Sequence, residues 1–256
     1  MCGIFAYLSN DISFTEIEKN FKLTQHRGPD HFNIFNYNNC TFGFHRLSIN
    51  GLDEISNQPI YLDNKLFVMA NAEIYNYKQL AIDYNIKLKT NSDCEIIIHL
   101  YKLLGIEKTI KLLDGVFSFI IVDNNLVYIG RDPIGVRPLF MGLNKEKRYC
   151  FSSEAKALIN LCDDIMQFNP GNYGFIDTEH KLYTKSYITD LYPTKQLTNN
   201  ILSSELRQYN LKDLKYNIVT DNINKLLTHA VNKRLLSNRE IGCFLSGGFD
   251  SSIITS

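Results

Sequence analysis

Roughly the first 190 residues fall into short apolar stretches, cut by Asn, Asp and Gly, in the order strands, helices, strands. A chain with that order has to cover its sheets with helices, because every sheet face and helix stripe buries its apolar side against another layer. "CGIFAYL", "FNIFNY", "CTFGFHRLSI" and "LFVMANAEI" read as strands, with an amphipathic helix over Ile12 to Leu23 after the first. Two helices follow, "YNYKQLAIDY" and "DCEIIIHLYKLLG". The second is expected to start at an N-cap Ser92 with Glu95 in the capping-box position and to stop at Gly105. "GVFSFIIVD", "LVYIGRD", "PLFMGL" and "YCFSSEA" return to short strands. The expectation is an α+β layered sandwich.

Beyond it the pattern weakens. Residues 189–216 are polar and Asn/Ser-rich and read as a linker. A helix is expected from Asn217 to Leu236, then a strand-like run "EIGCFL" and the turn "SGGFDSS". The last element reads as cut off, so residues 217–256 are taken as the start of a second domain.

Composition narrows the class of function. Lys and Arg number 27, as do Asp and Glu, so no net field recruits nucleic acid, an acidic substrate or a membrane surface. No apolar run approaches the ~18 to 20 residues of a membrane span, and no secretory n-region opens the chain. The expected compartment is the cytoplasm and the expected partner a small molecule. The six cysteines form no CxxC pair and no zinc-ligand cluster, so neither disulfides nor a structural metal are expected.

Cys2 stands where removal of Met1 makes it the first residue. One residue then supplies both a thiol and an α-amine of pKa roughly 7.7 to 8.0, which takes the thiol proton near neutral pH. By position alone Cys2 is equally a small residue opening a strand. Its companions decide: "HRGPD" (His26 to Asp30), "FHRLSI" (Phe44 to Ile49), "NAEIYN" (Asn71 to Asn76), "SDCE" (Ser92 to Glu95), "RDPIGVRPLF" (Arg131 to Phe140) and "SSEAKAL" (Ser152 to Leu158) follow in that order.

That set resembles the glutaminase domain of class II, N-terminal-nucleophile glutamine amidotransferases over residues 2–188. The resemblance implies a four-layer α/β/β/α sandwich with Cys2 as nucleophile toward the glutamine side-chain amide. Asn71, through its amide, and the backbone N–H of Ala72 are then the oxyanion donors. Arg46 holds the substrate α-carboxylate and Asp93 its α-ammonium, since an amino acid needs one fixed cation and one fixed anion. Leu47, Ile49, Asn50 and Glu73 line the same pocket, and no cofactor is implied for this step. "HRGPD" and "RDPIGVRPLF" are read as structural turns without chemistry. The chain departs from the family at Ala72, where the pattern has glycine. A Cβ there costs on the order of 1 kcal/mol if the backbone needs positive φ.

"SGGFDSS" is similar to the pyrophosphate loop of ATP pyrophosphatases, a phosphate cradle opening a helix. Glutaminase, linker, helix and this loop together resemble the glutamine-hydrolysing asparagine synthetase family. Its ATP contacts fall on Leu245, Ser246, Gly247, Gly248, Asp250 and Ser251, with Mg2+ and aspartate belonging to the complete synthetase domain. A homodimer is compatible with this resemblance. Two alternatives remain from the sequence: the glutaminase half of another amidotransferase, and a glutamine-binding fragment without turnover.

Overall fold

Ile4, Ala6 and Leu8 face one way and Phe5 and Tyr7 the other, and both sets are buried. The pleat of the strand imposes the alternation, and burial on both sides places the strand inside a stack of layers. The computed structural model describes residues 1–188 and 216–256. Contacts divide the chain into Met1–Ile188 and Thr189–Ser256.

The first unit holds two six-stranded sheets, antiparallel throughout. One is ordered β10 (Asp164–Gln167), β8 (Phe140–Leu143), β9 (Tyr149–Ser152), β1 (Gly3–Tyr7), β3 (Cys40–Arg46) and β2 (His31–Tyr37). The other is ordered β12 (Leu182–Ser186), β11 (Asn172–Ile176), β7 (Leu126–Arg131), β6 (Gly115–Asp123), β5 (Leu66–Ile74) and β4 (Ile60–Asp63). Phe42 and Phe44 from the first sheet meet Phe67, Met69, Ile120 and Ile129 from the second between the layers. The helix α1 (Phe14–Lys22) covers the first sheet with Ile17 and Phe21. The helices α2 (Tyr77–Asp83), α3 (Glu95–Leu104) and α4 (Ile106–Leu112) cover the second, with Ile96, Ile97 and Leu100 in the core. The result is the expected four-layer α/β/β/α sandwich.

The expected capping box does not form at α3. Its N-cap is Cys94, and the Glu95 carboxylate instead accepts from the N–H groups of Lys89 and Thr90, the Thr90 hydroxyl and His99. Those donors, from the chain entering α3 at Lys89 and Thr90 and from His99 one turn into it, outcompete the cap. The expected glycine stop holds, with Gly105 at φ 75°.

In the second unit α5 (Tyr216–Asn232) and α6 (Phe249–Thr255) are the described helices. The expected strand over Glu240 to Leu245 is absent and that run is irregular. A strand exists through its ladder, and no other strand lies among the described residues of this unit to pair with it. The expected linker 189–216 lies outside the described residues except for Tyr216, which opens α5. Among the described residues no helix is long and apolar enough to cross a membrane.

Candidate active site

The alternation that builds the inter-sheet core also sets the site. On that face β1 leads back from Ile4 to Cys2, β3 leads on from Phe44 to Arg46, and β5 leads on from Met69 to Asn71 and Glu73. Each strand carries its inward phase past the end of the apolar core. There the side chains are a thiol, a guanidinium, an amide and a carboxylate. They line one pocket with Leu47, Ile49, Asn50, Ala72 and Asp93, so every residue expected at a glutamine site is in this one place.

The Cys2 sulfur accepts from the backbone N–H of Leu47 at 3.4 Å. Burial pushes the thiol pKa up, while the Leu47 N–H, the terminal ammonium, Arg137 and Arg46 pull the other way. Met1 lines the pocket, and burial holds its ammonium below the ordinary α-amine value. Free space is about 30 Å3, room for one or two waters and not for an amino acid. The buried Arg27 donates from Nε to the Cys2 carbonyl at 2.8 Å and pairs with Glu154 at 3.0 Å. The "HRGPD" turn therefore packs beside Cys2 and fixes its backbone.

Arg46 is buried and held by neutral acceptors: the Asp53 carbonyl at 3.1 Å, Asn57 Oδ1 at 2.6 Å, and the carbonyls of Asn50 and Gly51. Burial lowers its pKa. Asp93 is buried too, accepting from the Ile74 N–H at 2.7 Å and from Asn50 Nδ2 at 3.4 Å. Burial raises its carboxyl to about 6. Among the described residues neither makes an ion pair, so a buried cation and a buried anion face the same pocket uncompensated. Asn71 completes the set: its Nδ2 is buried and has no acceptor. Native interiors rarely keep such an orphan, which costs ~1–3 kcal/mol.

Ala72 lies in β5 and is not among the residues with positive φ. Its methyl points to the opposite side, against the core under α3. The condition for a strained donor is not met.

Arg137 is a pocket residue that sequence reasoning missed. The "RDPIGVRPLF" segment is a structural turn as expected: Asp132 accepts from the N–H groups of Ile134, Gly135, Val136 and Arg137 at 3.1, 2.6, 2.9 and 3.0 Å. Arg137 itself, however, lines the pocket, pairs with Glu73 and keeps its buried Nε without a partner. The second arginine of the motif was the available signal. Gln58 was also missed; its amide both donates to Ala70 O at 3.0 Å and accepts from Ala70 N at 2.6 Å, pinning β5 next to Asn71.

In the second unit the Ser246 and Ser251 hydroxyls meet at 2.9 Å, the Gly248 N–H donates to Ser246 Oγ at 3.3 Å, and Gly247 takes φ 78°. Leu245 precedes this turn, and Asp250 sits in the first turn of α6.

A family model of the glutamine amidotransferase domain matches residues 1–173, and one of asparagine synthase matches residues 222–256. Glutamine-hydrolyzing asparagine synthetases of Mus musculus and Homo sapiens are 38% and 36% identical to the chain, over 99% of its length and 47% of theirs. The chain thus spans about half the length of the curated relatives it matches. The glutamine phosphoribosylpyrophosphate amidotransferase of B. subtilis, solved with ADP and GMP, aligns with TM-score 0.64 at 20% identity, covering 74% of this chain and 50% of that one. A structure described as the allosteric regulatory enzyme of purine biosynthesis aligns with TM-score 0.65 at the same identity and coverage. At that identity the likeness concerns the fold.

Proposed function

Because this chain belongs to the glutamine amidotransferase domain family, we propose that its pocket hydrolyses glutamine with Cys2 as nucleophile. Removal of Met1 places the α-amine on Cys2 and clears part of the pocket wall. The amine takes the thiol proton, the sulfur bonds to the side-chain amide carbon, and the carbonyl oxygen becomes an oxyanion. Asn71 Nδ2 and the Ala72 N–H donate to it. The C–N bond breaks as the amine passes its proton to the leaving nitrogen, giving ammonia and a thioester, which water cleaves to glutamate. Arg46 binds the α-carboxylate and Asp93 the α-ammonium, and the substrate thereby supplies the charges these two buried groups lack. Leu47, Ile49, Asn50 and Glu73 shape the walls.

The observation that carries this reading is the buried, unbonded Asn71 Nδ2 in the pocket of Cys2. Purified protein should release glutamate from glutamine, Cys2→Ala should abolish release, and N-terminal sequencing of active protein should begin at Cys. Fully active protein that keeps Met1 would refute the α-amine mechanism.

We further propose that the ammonia serves glutamine-dependent asparagine synthesis, with aspartate and ATP as the other small-molecule substrates and the cytoplasm as the compartment. The asparagine synthase match over 222–256 supports this. The Ser246 and Ser251 hydroxyls and the Gly247–Gly248 backbone are a donor set suited to phosphate, and Asp250 is a carboxylate suited to Mg2+. Bound there, ATP would activate the aspartate β-carboxylate as an acyl-adenylate. ATP-dependent aspartate consumption by the full-length gene product, driven by glutamine, tests it.

A further inference from the structure

At the end of the sandwich away from Cys2 the two sheets part around a cavity of about 330 Å3, within the range of small-molecule sites. Leu8, six residues along β1 from Cys2, lines it, which sets it about 20 Å from the thiol. Packed sheets ordinarily fill this space with side chains. Here the floor is apolar, with Phe42, Val122, Val127 and Ile176, while Asn, Ser and charged side chains on hairpin turns make up the rest of the lining.

That rim is braced. Asn38 and Asn124 both take left-handed backbone conformations, at φ 48° and 55°, and Asn38 Nδ2 donates to the Asn124 carbonyl and to Asn125 Oδ1 at 3.0 and 2.9 Å. A turn of one sheet is thereby tied to a turn of the other across the mouth.

The charged groups divide unequally. Asp177 accepts from the backbone N–H groups of Glu179 and Lys181, both at 2.9 Å, and Glu146 accepts from the Ser9 hydroxyl at 3.4 Å. Half-buried Arg148 also lines the cavity, and its guanidinium has no acceptor among the described residues. An apolar floor beside one uncommitted planar fork of donors suits an anion whose carboxylate takes the fork and whose body is apolar.

We infer that this cavity binds a small monocarboxylate with an apolar body, its carboxylate on Arg148 and its body against Phe42 and Val127. The inference stands apart from the glutaminase reading, since none of these residues lines the Cys2 pocket.

Phenylacetate and its neutral isostere phenylacetamide are the probes, titrated into the intact 256-residue protein by calorimetry with ligand-observed NMR as a second readout. Phenylacetate should bind saturably with a millimolar or tighter Kd, and phenylacetamide about tenfold more weakly. Arg148→Gln should weaken phenylacetate by a similar factor at unchanged Tm, because this side chain holds nothing else. Thr178→Trp, at an exposed rim position, should obstruct binding independently. Excess glutamine should leave phenylacetate bound. Absence of saturable binding, equal affinity for the two probes, full affinity in Arg148→Gln, or displacement by glutamine would each overturn the proposal.

Discussion

The Asn71 side chain separates a functional role from a structural one. Its buried Nδ2 has no partner in the folded protein, so removing it takes no hydrogen bond from the resting state. Asn71→Ala should lower kcat for glutamine by about 10² to 10³. A side chain kept for packing would instead move Tm with little effect on kcat; glutamate release and a thermal melt on the same preparation separate the two. Asp93 gives a prediction in pH. Burial raises its carboxyl to about 6, so it is ionised above that value and protonated below it. A protonated Asp93 cannot pair with the substrate ammonium, and KM for glutamine should rise as pH falls through about 6. The effect on stability has the opposite sign: burying the charge costs the ligand-free protein above about 6, and protonation relieves that cost as pH falls from there toward the unfolded carboxyl value. Asp93→Asn should raise KM at neutral pH and remove the inflection; an unchanged inflection assigns it to another group.

At the scale of elements, β5 shows what the alternation decides. Asn71 and Glu73 take its inter-sheet phase, while Ala72 takes the helix-side phase, so that in the proposed mechanism it serves through its backbone N–H and not its side chain. Ala72→Gly therefore relieves no strain. It should leave glutamine turnover within about twofold and cost ~0.5–1 kcal/mol of stability through added backbone entropy in the strand; a clear loss of turnover would mean the oxyanion donors are arranged otherwise. The extents of β5 and β6 were legible in the sequence because "LFVMANAEI" and "GVFSFIIVD" are apolar enough to be buried on both faces between turn residues. Cys2, Arg46 and Asp93 were legible as a set through their order along the chain. What escaped was long-range. Arg137 pairs in the pocket with Glu73, 64 residues away, a contact that the second arginine of its turn motif signals but does not specify. The expected strand over Glu240 to Leu245 failed for the same reason, since a strand depends on a partner that residue preferences do not specify.

For the whole molecule, the distribution of buried side chains argues that the glutamine amidotransferase portion is a folding unit. The three apolar clusters, between the sheets, under α1 and under α2 to α4, are built entirely from residues between Cys2 and Ile188. Every residue of the Cys2 pocket also lies within 1–188. The helix α5, by contrast, spans 17 residues with Ile223, Leu226 and Leu227 exposed, and an isolated helix of that length is marginal in water. Its unfolding should contribute little to the main cooperative transition. A protein ending at Ile188 should therefore melt in one transition within about 3 °C of the 256-residue chain, which corresponds to ~1 kcal/mol in a domain of this size. It should also hydrolyse glutamine at a comparable rate, with ATP having no effect. Circular dichroism melts and a glutamate assay on both proteins decide the matter. A cut protein that is unfolded, or folded but inactive, would show that residues beyond 188 complete either the core or the pocket.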